Sequence, residues 1–243
     1  MFFYPFTFAE PDTVLEGQTA EEYSTTGIAT VDGVVGDEFD AVVENDGPSY
    51  LYHRSTEGSV YVRELYEEDG VVYVRIETNT PDSYFVDREL RRFGGQVVTQ
   101  SEEEDRYVTI LIADDPDQPV EESIKIMEDV FLRSLGQIAY EVEPASDVNS
   151  TLVPRDGWYD HEDVRWDYRI TDASGEIHVD PESDTVLHAD VQFHRTNAGS
   201  YLGYFRNSDD GVSIDIKYDV EIGPTTVDTP EWVDEIRSSE ESD

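Results

Sequence analysis

Cysteine is absent from the 243 residues, which excludes disulfides, thiolate metal centres, cysteine nucleophiles and a lipid-modified cysteine. Positive charge is scarce. Lys and Arg number 16 against 57 Asp and Glu, a formal net charge of −41, and Lys125 and Lys217 are the sole lysines. This excludes a nucleic-acid partner, because phosphate backbones are held by Lys and Arg clusters that displace counterions. It also argues against docking on anionic lipid headgroups. No apolar run approaches the ~20 residues of a membrane span. Gly-x-Ser-x-Gly, a phosphate-cradling Gly-rich loop and His-Glu-x-x-His are all missing. With 57 acids, apparent carboxylate pairs carry no information. The sequence therefore reads as a non-enzyme without a cofactor.

What is present suffices for a core, since 37% of residues are hydrophobic and 12% aromatic. A chain this acidic repels itself at ordinary ionic strength. Near 1 M salt the Debye length falls to ~3 Å and the repulsion is screened. The charge thus points to work in molar salt, in a halophile or its virus. A cationic partner is the rival explanation, but it requires one acidic patch, and the acids run from Glu21 and Glu22 to the 238–243 tail. The opening Met1–Ala9 is apolar, lacks a preceding basic residue and is broken by Pro5. It reads as a first strand packed on the core or as the remnant of a longer leader.

Residues 1–22 form a lead-in, 23–237 a single domain, and 238–243 a disordered acidic tail. Runs of β-branched and aromatic residues between turn signals predict strands near 23–32, 37–45, 49–55, 59–67, 71–78, 106–113, 138–143, 163–171, 175–180, 185–195 and 211–222. Asp46-Gly47 and Asp69-Gly70 fit two-residue hairpin turns. Asp172–Gly175 and Pro181–Asp184 mark two more turns. The second hairpin has a definite register: pairing Glu68 with Val71 sets Glu64 against Arg75, Leu65 against Val74 and Tyr66 against Tyr73.

After Pro119, Val120, Ile124, Met127, Phe131 and Leu135 recur at helical spacing, and Gly136 ends the helix. Ile126 and Val130 widen the stripe, which predicts burial on more than one side. Shorter helices are expected at 86–93, before Gly94-Gly95, and at 230–237, after Pro230. In the second half the alternation is strict. Trp166, Tyr168 and Ile170 share a dry face, as do Leu187, Ala189, Val191 and Phe193, and Ile214, Ile216 and Tyr218.

Ten or eleven strands at ~4.8 Å spacing make a sheet about 50 Å wide. The principal helix is ~24 Å by ~10 Å and cannot cover it. The fold expected is therefore α+β, mainly antiparallel β: a curled sheet, an incomplete barrel, wrapped over one principal helix. An apolar trough then lies between sheet and helix.

Four segments carry a resemblance. They are Tyr23–Ala29, the hairpin Glu68–Arg75, the Gly-then-strand segment Ala173–Asp180, and the last strand followed by Thr229-Pro230-Glu231-Trp232. Over roughly 23–236 the chain resembles haloarchaeal lipoprotein domains with the LolA/LppX/LprG lipoprotein-carrier half-barrel fold. The resemblance implies a domain on the extracytoplasmic face of the membrane, or secreted, that binds or carries a lipid or other apolar ligand. That family's tethering Cys and leader have no counterpart in this sequence. The sequon Asn149-Ser150-Thr151 agrees with an external, glycosylated loop.

Trp166, Tyr168 and Phe193 fill the core or, with Val72, Val74, Ile124, Phe131, Leu187, Val191, Ile214 and Ile216, line the trough. His188 and His194 share a wet face with Asp190, and His178 lies across the hairpin. Positions six apart on a strand are ~20 Å apart, so those two histidines read as solvated rather than as joint metal ligands. The acidic loops 114–117 and 207–211 lack EF-hand spacing. Two functions follow. One is a non-enzymatic halophilic lipid carrier; the other is a structural or interaction protein of a haloarchaeal surface or virion, among envelope or virion proteins, with a fully packed core.

Overall fold

The structure is a computed structural model that describes residues 15–56, 61–80, 84–103, 106–143, 150–159, 167–180, 182–183, 185–198, 201–207 and 210–240. The expected first strand Met1–Ala9, Trp166 and Asn149 lie outside the described residues.

The strands are β1 (Tyr23–Val31), β2 (Val34–Val43), β3 (Ser49–Ser55), β4 (Tyr61–Glu68), β5 (Val71–Thr78), β6 (Gln96–Glu103), β7 (Arg106–Ala113), β8 (Tyr140–Glu143), β9 (Ser150–Pro154), β10 (Gly157–Tyr159), β11 (Tyr168–Val179), β12 (Val186–Asn197) and β13 (Val212–Ile222). The helices are α1 (Tyr84–Phe93), α2 (Val120–Leu135), α3 (Tyr201–Asn207) and α4 (Glu231–Glu240). Strand order is β6-β7-β5-β4-β3-β2-β1-β13-β12-β11-β9-β8, with β10 on β11. This open thirteen-stranded sheet with four helices corrects the expected curled sheet of ten or eleven strands over one principal helix. Of the eleven expected strands, 163–171 and 175–180 are one, and β6, β9 and β10 are additional.

The chain divides into two compact units. The first comprises Thr19–Thr26, Asp37–Met127 and Glu221–Asp243. Its β2–β7 ladders are antiparallel. The β4–β5 register is the expected one, with Glu64 opposite Arg75, Leu65 opposite Val74 and Tyr66 opposite Tyr73. Asp69 (φ 52°) and Gly70 (φ 76°) make the left-handed turn that fixes it. Asp46-Gly47 behaves differently. Val43 pairs with Ser49, so the loop has five residues and closes through the Gly47 N–H on the Glu44 carbonyl.

Both faces of this ladder are covered. Tyr66, Tyr73 and Ile112 pack on Val233 of α4, with Trp232 and Ile236 beside them. Residues of the opposite face, Leu65, Val74 and Leu111, are buried as well, and on this side Glu67 accepts the Val120 N–H at the start of α2 (2.7 Å). That contact suits the partial positive charge of a helix N-terminus. α4 continues through 238–240, residues expected in the tail; 241–243 lie outside the described residues.

The second unit comprises Met1–Gln18, Gly27–Gly36 and Glu128–Val220. Here Asp172–Gly175 is not a turn but a bulge inside β11, where the register shifts between Thr171 and Ser174. Gly175 is required there, because φ is +103° and a Cβ would lie 1.9 Å from the Asp190 carbonyl oxygen. A second shift pairs Val179 with Val186 directly after His178 with His188. Leu187 is thereby skipped, so Val186 rather than Leu187 enters the core. Within the lead-in, Glu16 bridges Thr185.

α2 matches its expected span and buries Val120, Ile124, Met127, Phe131 and Leu135. Ile126 and Val130 are exposed, which corrects the widened stripe: at 100° per residue they lie about 100–140° round the helix from the stripe's centre. Among the described residues, no helix is long and apolar enough to cross a membrane.

Candidate functional site

Two positions break the apolar pattern of the first unit. Arg63 is in phase along β4 with Tyr61 and Leu65, on the face that includes Val74 and Leu111. Glu89 lies between Phe85 and Phe93, one helical turn from each on α1. α1 forms because Phe85, Glu89 and Phe93 recur four residues apart, with Asp87 in the first turn and Arg91 and Arg92 in the last, where each suits the helix dipole. Gly94, with φ +69°, ends it.

Folding buries both charges, Arg63 to 2% exposure and Glu89 to 0%. The Arg63 guanidinium donates to Glu89 Oε1 at 3.3 Å and Oε2 at 3.4 Å. Arg88 donates from Nε to Glu89 (3.0 Å) and from a terminal nitrogen to the Tyr61 hydroxyl (2.8 Å). Arg92 approaches Glu89 to 3.9 Å and donates to Ser123 Oγ at 3.4 Å. Tyr61 stacks on Phe85 with centroids 4.1 Å apart, and Arg88 lies 5.2 Å from each ring. Directly across the ladder from Arg63 is His53, whose Nε2 meets Asp37 at 3.3 Å.

The electrostatics follow from burial. Desolvation pushes the Tyr61 hydroxyl up to about 12. Desolvation also lowers the His53 imidazole, with Arg63 and Arg88 adding to it and Asp37 opposing. The hydrogen bond from His53 holds Asp37 below the usual carboxylate range, and burial lowers the Arg92 guanidinium. Two buried nitrogens, Arg63 Nε and His53 Nδ1, have no hydrogen-bond partner among the described residues. The cluster clamps α1 to the sheet through charge and presents donors in excess of acceptors.

The residues expected to line a trough are placed otherwise. Val72, Val74 and Ile124 of the first unit are 0% exposed. In the second unit Phe131, Tyr168, Val191, Phe193 and Ile216 are buried, and Leu187 and Ile214 are half-buried. The Tyr168 hydroxyl donates to the Gln137 carbonyl, which fixes its ring inside the core. Phe193 and Ile214 also border a depression of about 340 Å³ in the second unit, but its other walls include Thr30, Asp172, Gln192, His194, Ser213 and Asp215 and are mainly polar.

His178 and His188 are opposite each other, with rings 5.4 Å apart, as the hairpin predicts. His188 Nδ1 contacts Asp219 (2.5 Å), whereas His194 Nδ1 contacts Ser213 (3.4 Å), so the two do not converge. In the acidic loop 114–117 the Asp117 N–H is bonded to the Phe93 carbonyl (3.3 Å). Among the described residues, no group of three or more His, Asp or Glu is placed to hold a metal ion.

The Arg63–Glu89 cluster was not anticipated. Its signal is an Arg and a Glu each in phase with apolar neighbours, hidden by a composition in which a Glu reads as solvated surface.

No protein-family model and no curated protein matches the chain. Among solved structures, the tandem C2 domains of extended synaptotagmin 2 align over 89% of this chain and 87% of that one, at 12% identity and a TM-score of 0.11, which indicates no shared fold.

Proposed function

We propose that this chain is a non-enzymatic structural or interaction protein of a molar-salt environment, acting through its surface at the outside of a cell or on a virion. One observation carries this reading: Val72, Val74, Ile124, Tyr168, Val191 and Ile216, the side chains an apolar ligand would touch, are each 0% exposed. Apolar side chains buried against protein have no area left to offer a ligand. The net charge of −41 supports the salt adaptation, and the sequon at Asn149 supports the external placement. Outward apolar side chains are also present, with Leu202 and Phe205 of α3 exposed beside the Trp158–Tyr204 ring pair. These give a protein partner a contact surface.

Solvent extraction of protein purified in 3 M KCl, followed by mass spectrometry of the extract, tests the reading against lipid carriage. The expected result is no acyl lipid above trace. A reproducible lipid at about one per chain overturns it.

A further inference from the structure

We infer that the Arg63–Glu89 cluster is a binding site for one small monovalent anion of the halide class, seated against Arg63 Nε and His53 Nδ1. Three guanidinium groups, Arg63, Arg88 and Arg92, meet two carboxylates, Glu89 and Asp37. One positive charge is left over in a region where Arg63, Glu89 and His53 are at most 8% exposed. Uncompensated charge is expensive away from water, and a monovalent counterion removes it.

The unpartnered atoms mark the place. Arg63 and His53 are directly opposite on β4 and β3, which puts their Cβ atoms about 4.5–5.5 Å apart. Among the described residues, Arg63 Nε–H has no acceptor and His53 Nδ1 has no partner either. The residues around them are closed off, so only a monatomic or similarly small ion fits. A neutral His53 donates Nε2–H to Asp37 and turns a lone pair at Nδ1 toward the site. A halide therefore binds together with a proton on Nδ1, giving two N–H donors. The groups facing His53 set the balance: Asp37 from β2 favours the proton, while Arg63 from β4 and Arg88 from α1 oppose it, and the neutral Tyr61 hydroxyl stands by. Binding tightens as pH falls.

This inference stands apart from the proposed function, since the surplus guanidinium requires a counterion at any salt concentration. Crystals of the unmodified protein grown in KBr, at pH 5 and pH 8, supply the test through bromine anomalous scattering. The expected result is a peak within hydrogen-bonding reach of Arg63 Nε, stronger at pH 5. Chloride-35 line broadening in solution adds a second readout: it is expected to be lost in Arg63→Met and, where that variant does not fold, reduced in His53→Gln. A bridging water with no anomalous signal, or broadening unchanged in His53→Gln, overturns the assignment.

Discussion

Arg63 of β4 and Glu89 of α1 face each other at 3.3 Å with their side chains 3% and 0% exposed, the most deeply buried ion pair among the described residues of a chain of net charge −41. A buried pair is weak evidence of net stabilisation, but each partner makes the other indispensable.

Glu89→Gln is expected to destabilise by about 3–5 kcal/mol, because it strands three guanidinium groups around a neutral amide. The double variant Arg63→Met with Glu89→Leu is expected to recover most of that loss. Urea unfolding in 3 M KCl of both single variants and the double measures the coupling. Additive losses contradict the clamp.

The charge predicts salt dependence. Raising KCl from 0.1 M to 3 M is expected to raise the melting temperature steeply, since the Debye length falls from ≈ 10 Å to below ~3 Å. Calorimetry or circular dichroism reads it. A melting temperature unchanged over that range removes the halophilic reading.

His53 and Asp37 predict the acid limb of stability. Both pKa values are lowered on folding, from ordinary values of 6.5 and 3.8, so the unfolded chain takes up protons that the folded chain refuses. Stability from His53 is complete above about 6.5 and is lost as pH falls below it, and that from Asp37 is lost as pH falls below about 3.9. In 3 M potassium methanesulfonate, whose anion is too large for the closed cluster, unfolding free energy is expected to fall between pH 7 and pH 5. His53→Gln is expected to flatten that slope. An identical slope in the variant places the titration elsewhere.

Gly175→Ala is expected to cost more than Gly33→Ala. Both positions have positive φ, but at Gly33 no atom of the described residues lies within 4 Å of an added Cβ, whereas at Gly175 the Asp190 carbonyl oxygen is 1.9 Å away. The first change carries about 1 kcal/mol of backbone strain, and the second adds displacement of β12. Thermal unfolding of the two variants side by side gives the comparison. Equal losses would mean that the bulge yields freely.

Legibility in the sequence tracked how local the determinant was. The β4–β5 register was readable because Asp69-Gly70 closes the hairpin and the pairs follow by counting. The β11 bulge was misread because Asp172 and Gly175 adopt the same positive φ in a bulge as in a turn, and only the partner strand distinguishes them. β6 was missed because Gln96–Glu103 holds just two apolar residues and is a strand through its pairing with β7. The two short helices at 86–93 and 230–237 were found, but not their weight: each covers a face of the first unit, which leaves no dry surface for a trough to explain. The buried Arg63 and Glu89 depend on contacts across 26 residues, beyond any local pattern.

Enlarging the interior tests the central claim most directly. Val74→Phe in the first unit and Val191→Phe in the second put a larger ring where the structure has no free space, since both valines are 0% exposed. Each is expected to lower the unfolding free energy by about 1–3 kcal/mol in 3 M KCl, the cost of overpacking a filled core. Unchanged stability in both, with room for the rings, would show an open apolar channel and contradict the packed interior.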